Sequence, residues 1–295
     1  MTAVITYEET PAFQQSDACP GSGVSSLRFG TQNVHGWHNR DGADTFETIA
    51  ALVAQATLDV IALQETSKSK LPALAAHLGG YNWVFSHGVA ILSQPALELT
   101  DTNEARLWGR RVRQCRARVG LPGGELEMVA VHLDHRRETA RMSELCQLSP
   151  PFGGVLLGDF NALTKNDYSD AQWRVVADVR AKNSWEPPVS DVTSFVTGHG
   201  LTKKRARLEF CDSWQAAPKK KRPLSTCRFG TRIDYIFASP QNQWKAVECE
   251  HVVAIPHASD HNLVVATFAP VLLYVRTGHP HGLVSVVESI YISGV

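Results

Sequence analysis

Apolar runs of strand length alternate with stretches of helical spacing along most of the chain. Residues 27–33 predict an opening strand, and in 45–55 Phe46, Ile49, Ala50 and Val53 recur at helical intervals. Asp59 followed by the apolar Val60-Ile61-Ala62-Leu63 predicts a short buried strand over 59–63, and 71–78 predicts a helix. Residues 83–85 and 89–92 predict paired strands turning at His87-Gly88. A second pair is predicted at 111–121 and 126–133 around Pro122-Gly123-Gly124, followed by a polar-faced helix over 136–148. Val155-Leu156-Leu157 predicts a buried strand that runs into Gly158-Asp159-Phe160-Asn161, and further strands are predicted at 232–238, 246–253 and 263–268.

The recurring event is a strand that ends in, or opens from, a polar residue. Open sheets of α/β proteins place their ligands at strand ends, where loops bring distant residues together. That rule makes Asn33, Glu65, His132, Asp159, Asn161, Asp234, Asp260 and His261 the candidates, scattered in sequence but alike in local position.

Composition narrows the picture. The 295 residues are 43% hydrophobic and 20% charged, the balance of an ordinary globular protein, and length alone leaves one large α/β domain or two small ones open. Lys+Arg and Asp+Glu are each 29, so any attraction to nucleic acid has to come from a local patch. Six scattered cysteines without a C-x-x-C pair indicate neither a zinc site nor a disulfide framework. Residues 1–26 lack the basic start and apolar run of an export signal and read as a flexible leader of an intracellular protein, cytoplasmic or nuclear.

The chemistry of each candidate follows from its type and setting. A carboxylate at Glu65, just past a buried strand, is a hard oxygen ligand suited to Mg²⁺; taken alone it reads as a surface glutamate. Asn33 could serve a metal, a phosphate oxygen or Asp159, or simply a turn. In Gly158-Asp159-Phe160-Asn161 the glycine permits a sharp turn, and an acid and an amide project together, one to orient a water and the other to steady a phosphate. A histidine whose second nitrogen is held by a carboxylate has a fixed tautomer and suits phosphate contact or proton transfer, and Asp234 is the expected partner of His261. His132 offers a second donor to a phosphoryl oxygen, while Asp134 and His135 read as residues flanking the next helix.

Taken in order, Gln32-Asn33-Val34, Leu63-Gln64-Glu65, Val131-His132-Leu133, Gly158-Asp159-Phe160-Asn161, Arg232-Ile233-Asp234-Tyr235 and Ser259-Asp260-His261 resemble the endonuclease/exonuclease/phosphatase, or DNase I-like, superfamily over about residues 27 to 268. The resemblance implies a four-layer α/β sandwich, two mixed β-sheets face to face with helices outside. It implies Glu65 as principal metal ligand with Asn33 beside it and Asp260 contributing, and Mg²⁺ or Mn²⁺ as the ion. Asp159 would orient or activate the attacking water with support from Asn161. His132 and His261 would bind the scissile phosphate, with Asp234 paired to His261.

The implied activity is metal-dependent hydrolysis of a phosphodiester, foremost by a nuclease acting on DNA or RNA. A phosphatase or lipid phosphodiesterase of the same superfamily, or a catalytically idle nucleic-acid-binding member, are the alternatives. Cys227-Arg228-Phe229-Gly230 departs from the Trp-Cys-Asp-Arg type signature of the inositol phosphatases and argues against them. A basic insertion at about 162–225 matches no motif. Residues 203–232 within and beyond it hold 10 Lys/Arg against 2 Asp/Glu, a local balance of 10 − 2 = +8, which suits a polyanion or, in Pro218 to Arg222, a nuclear-import tract. Residues 269–295 form a C-terminal extension too interrupted by Arg276, His279, Pro280 and Glu288 to span a membrane, and no stable membrane association is expected. A monomer is expected.

Overall fold

The computed structural model of the chain describes residues 26–103, 112–121, 124–149, 151, 153–199, 208–221, 224–242, 244–254 and 258–270. In chain order the elements are β1 (Leu27–Asn33), α1 (Phe46–Gln55), β2 (Val60–Gln64), α2 (Leu71–His77), β3 (Asn82–Ser86), β4 (Val89–Ser93), β5 (Leu99–Asp101), β6 (Arg113–Leu121), β7 (Gly124–His132), α3 (Glu138–Leu145), β8 (Val155–Asp159), α4 (Asp170–Lys182), α5 (Asp191–Thr197), β9 (Cys211–Asp212), α6 (Ser213–Ala216), β10 (Lys219–Lys221), β11 (Asp234–Ala238), β12 (Trp244–Val252) and β13 (Leu263–Pro270).

The strands form two mixed sheets, ordered β10-β12-β13-β1-β2-β4-β3 and β5-β6-β7-β8-β11-β9. Side chains alternate across a strand, so each sheet has an inner and an outer face. Leu27, Phe29, Val60, Ala62, Met128, Ala130, Val155, Leu157, Ile236 and Ala238 turn inward and fill the space between the sheets. The opposite parity faces out: Ile61 and Leu63 pack under α1 and α2, while Val129, Val131, Leu156 and Phe237 pack with α3 and α5. Helix, sheet, sheet, helix is the four-layer sandwich, and burying each of its Val, Leu, Ile, Phe or Met side chains contributes about 1.5–3 kcal/mol.

Two local differences from the pattern have physical causes. α3 starts at Glu138, two residues later than the apolar spacing implies, because the N–H groups of Arg136 and Arg137 donate to Asp134 Oδ1 at 2.8 Å each and hold that stretch in a turn. Between β8 and β11, where the apolar spacing predicts no elements, the chain forms α4, α5, β9, α6 and β10. α4 opens on a capping box, with Ser169 accepting from the Gln172 N–H and Gln172 reaching back to the Ser169 N–H.

β13 continues to Pro270. The leader over 1–25, the turn at 122–123, the basic tract at 203–207, Arg222 and the tail over 271–295 lie outside the described residues. Among the described residues the cysteines are free, and no helix is long and apolar enough to cross a membrane.

Candidate active site

The parity that builds the inner core also aims the polar residues. Asn33, His132, Asp159 and Asp234 continue the inward-facing series of β1, β7, β8 and β11 past the last apolar position, so the core gives way at one end of the sandwich to a polar cluster. Strand register then sets the neighbours: His132 pairs with Asp159 across parallel β7 and β8, Asp234 with Asp159 across antiparallel β8 and β11, and Asn33 with Gln64 across β1 and β2. Gly158 makes the tight approach of β7 and β8 feasible. Its φ is +135°, and a Cβ there would lie 2.1 Å from the Val131 carbonyl oxygen.

Asn33 lies between the two central carboxylates. Its Oδ1 accepts from the His35 N–H at 2.9 Å, which fixes the amide orientation, so Nδ2 donates to Glu65 Oε1 at 3.0 Å and to Asp159 Oδ2 at 3.1 Å. Of the roles open to Asn33 in the sequence, the tie to Asp159 is thus present. Asp159 Oδ1 accepts from the Asn161 N–H at 2.9 Å, leaving Oδ2 toward the cleft. Asn161 is itself held at positive φ, with Nδ2 donating to the Leu133 carbonyl at 3.1 Å. Glu65 also adopts positive φ, +55°, and its side chain remains 36% exposed at the cleft.

The two histidines differ in charge and share an aim. His261 Nδ1 lies 2.9 Å from Asp234 Oδ2, and its Nε2 lies 3.8 Å from Asp159 Oδ2. Burial alone would lower the His261 pKa, but the Asp234 and Asp159 carboxylates outweigh it and hold the imidazolium well above its ordinary range. Burial pushes the Asp234 carboxyl up to about 6, restrained by His261 and reinforced by Asp159. Asp234 is seated by Thr226, whose hydroxyl accepts from the Asp234 N–H at 3.1 Å.

Burial lowers the His132 pKa against the pull of Asp159 and Glu65, so this ring is neutral. Arg113 can only donate, and its Nη1 lies 3.4 Å from His132 Nδ1, so the ring proton is on Nε2. That Nε2–H lies 3.8 Å from both Glu65 Oε1 and Asp159 Oδ2. Gaps of this size are too long for direct hydrogen bonds and leave room for a substrate oxygen or a water.

The charges do not balance. Asp234 is matched by His261, and Asp260 lies 3.6 Å from Arg228. Glu65 and Asp159 share an amide and neutral His132, Asp159 has the His261 imidazolium at 3.8 Å in common with Asp234, and among the described residues no Lys or Arg comes within 4.0 Å of Glu65 or Asp159. Glu65, Asp159 and Asp234 against the single His261 imidazolium leave an excess of negative charge that fits a divalent ion. A tighter group of metal-ligand type, Asp159, Asp234 and His261 within 4.8 Å, is also present. His261 is held as an imidazolium by the other two members, which makes this group the poorer cation site.

Asp260 meets this cluster at His261, whose Nε2 lies 3.9 Å from Asp260 Oδ1. His35 Nδ1 lies 3.3 Å from Asp260 Oδ1 and 3.9 Å from Glu65 Oε2, bridging the two acids. His35, Gly36 and Trp37 all have positive φ, and buried Trp37, donating to Thr66 Oγ1 at 3.2 Å, anchors the turn that aims His35 inward. The eight sequence candidates therefore lie together at one end of the sandwich. The strand-end rule does not reach His35, although it follows Asn33 by two residues. Nor does it reach Arg228, Trp185 and Phe229, which line the same cleft of about 230 Å³.

Comparison with known proteins agrees with this architecture. A profile of the Endonuclease/Exonuclease/phosphatase family matches residues 30–261. An endonuclease/exonuclease/phosphatase from Bacteroides vulgatus superposes with a TM-score of 0.62 at 17% identity, covering 84% of this chain and 100% of its own. A mannosyl-6-phosphatase of Bacteroides thetaiotaomicron superposes at 0.56 with 17% identity, over 82% of this chain and 99% of its own. Humanized D. rerio TDP2 gives 0.53 with 18% identity, over 83% and 99%. No curated protein sequence matches the chain. At such identities the solved structures speak for the fold alone, while the profile covers most of the sequence that builds both sheets and the polar cluster: the chain belongs to the endonuclease/exonuclease/phosphatase family.

Proposed function

We propose that this chain hydrolyses phosphodiester bonds of DNA or RNA with the help of a divalent cation, Mg²⁺ or Mn²⁺. The observation that carries this reading is the excess of carboxylates, Glu65, Asp159 and Asp234 against the single His261 imidazolium, beside two histidine donors aimed at the same point. Glu65 and Asp260 would hold the ion, with Asn33 keeping Glu65 and Asp159 in place. Bound there, the ion supplies Lewis-acid polarisation of a phosphoryl oxygen.

Asp159 Oδ2 orients the attacking water and accepts its proton, while the Asn161 N–H holds Oδ1. His132, neutral with its proton on Nε2, and His261, cationic and braced by Asp234, donate to non-bridging oxygens as charge develops on them. Nucleic acid as the substrate rests on the two basic tracts of the sequence, residues 203–207 and 219–222.

The test is a substrate panel of single-stranded DNA, duplex DNA, RNA, nucleotides, sugar phosphates and phospholipids, each with Mg²⁺ or Mn²⁺. Release of shorter polynucleotides, absent in Asp159→Asn, is the expected result. Turnover confined to sugar phosphates or lipids would replace the nuclease reading with a phosphatase or lipid phosphodiesterase.

A further inference from the structure

Five large hydrophobic side chains are exposed among the described residues, and two of them, Trp185 and Phe229, stand on the wall of the catalytic cleft. They come from separate elements. Trp185 follows α4, where its N–H donates to the Arg180 carbonyl at 2.9 Å. The Arg180 Nε donates to the Glu186 carbonyl at 2.6 Å, and the Glu186 carboxylate accepts from Arg141 at 2.8 Å, which pins the segment to α3. Phe229 tips a turn closed by Thr226 and Cys227 N–H bonds to the Thr231 carbonyl, and the Arg228 N–H bond to the Asp260 carbonyl at 2.9 Å ties that turn to the His261 loop.

The two rings meet edge to face, with centroids 4.8 Å apart and planes at 87°, and each residue is 37% exposed. Each has a guanidinium beside it: Arg180 Cζ lies 5.8 Å from the Trp185 ring and Arg228 Cζ 4.7 Å from the Phe229 ring. Arg228 also reaches 3.6 Å from Asp260 Oδ2, so it stands between the aromatic wall and the catalytic floor. A rigid, partly open aromatic corner has no packing reason to sit at a polar cleft. It does have a recognition reason, since a flat ring stacks on aromatic and guanidinium planes while the cations meet a nearby anionic group.

We infer that Trp185 and Phe229, with Arg180 and Arg228, form a subsite for the nucleobase of the nucleotide unit whose phosphate enters the catalytic cluster. The inference rests on the phosphoesterase reading above and extends it. A saturated sugar phosphate or a lipid headgroup offers the cations an anion but gives the rings no flat partner. The ligand chemistry that uses both is an aromatic ring carried next to a phosphate. The cleft, about 230 Å³, lies below the usual range for drug-sized ligands and so suits one such unit at a time.

Calorimetric titration of the full chain with thymidine 5′-monophosphate, ribose 5-phosphate and inorganic phosphate, each with Mg²⁺ present, tests this. The nucleotide should bind about tenfold or more tighter than ribose 5-phosphate, the scale of one stacked base. That preference should vanish in Trp185→Ala with Phe229→Ala, while inorganic phosphate binds as before. Trp185→Leu with Phe229→Leu, which keeps apolar bulk without a π face, should lose the preference as well and covers the case in which the alanine variant fails to fold. Equal affinity for nucleotide and ribose phosphate in the unsubstituted chain, or a base preference that survives in the leucine variant, overturns the subsite. Binding needs no turnover, so base preference without hydrolysis of any ester would leave the subsite standing and remove the phosphoesterase reading; hydrolysis without base preference would do the reverse.

Discussion

His261 Nδ1 lies 2.9 Å from Asp234 Oδ2, and this one bond leaves Nε2 as the His261 ring nitrogen that faces Asp159 and the cleft. The pair behaves as a unit because both groups are buried and each sets the other's protonation.

A pH profile follows from the pair. With its pKa pushed up to about 6, Asp234 is a carboxylate above that pH and braces the imidazolium; below it, Asp234 takes a proton and the brace is lost. Turnover should therefore rise as pH passes upward through about 6, and fall on the alkaline side as His261, held well above its ordinary range, deprotonates. Asp234→Asn should remove the limb near 6 and lower the plateau by roughly a hundredfold. An unchanged acid limb in that variant would assign the titration to another group.

Arg232 makes a separate, structural prediction. Its guanidinium is buried, with Nε 2.7 Å from Asp167 Oδ2 and Nη2 2.6 Å from Asp212 Oδ2, and it stacks 4.3 Å over the Tyr235 ring. Arg232→Met leaves two buried acids without their cation and should cost about 3–5 kcal/mol in denaturant unfolding. Arg232→Lys should recover little of it, because a single ammonium cannot span both carboxylates as the fork does. A loss below about 1 kcal/mol, the scale of an exposed pair, would mean that water reaches the site.

The basic segment separates nuclease from other readings. β10 is the edge strand of the seven-stranded sheet, its backbone paired in parallel with β12. Changing Lys219, Lys220, Lys221 and Arg222 to Gln should flatten the salt dependence of KM on long polynucleotides, since a segment with fewer cations displaces fewer counterions from the phosphates it meets. Cleavage of a small phosphodiester should hardly change. Identical salt dependence before and after the substitutions would remove the tract from substrate binding.

Much of this geometry was legible because one rule carries both core and site. The strand parity that sends Val155 and Leu157 into the sandwich sends Asp159 the same way, and the same holds for Met128, Ala130 and His132. The helices after β8 were not legible for the opposite reason: α4 buries only Val176, so its apolar period is weak and its capping box was the available signal. His35 was hidden because its aim depends on three consecutive left-handed residues, which spacing does not encode. Trp185 and Phe229 lie 44 positions apart without shared periodicity, and their meeting follows from how α3, α4 and the His261 loop pack. Arg232 read as part of a strand-opening motif, while its burial depends on Asp167 and Asp212, which reach it from two other segments.

Hydrolysis by this chain is predicted to need a divalent cation held by Glu65 and Asp260 beside Asp159. The most direct measurement is the rate of polynucleotide hydrolysis by the chelator-stripped chain as Mg²⁺ is added back, for the unsubstituted protein and for Glu65→Gln. The predicted result is no hydrolysis in excess chelator, full recovery with Mg²⁺, and a half-saturating Mg²⁺ concentration raised at least about tenfold in Glu65→Gln, since losing a ligand's charge should cost no less than losing an outer partner. Full hydrolysis in excess chelator, or the same half-saturation in both proteins, would contradict it.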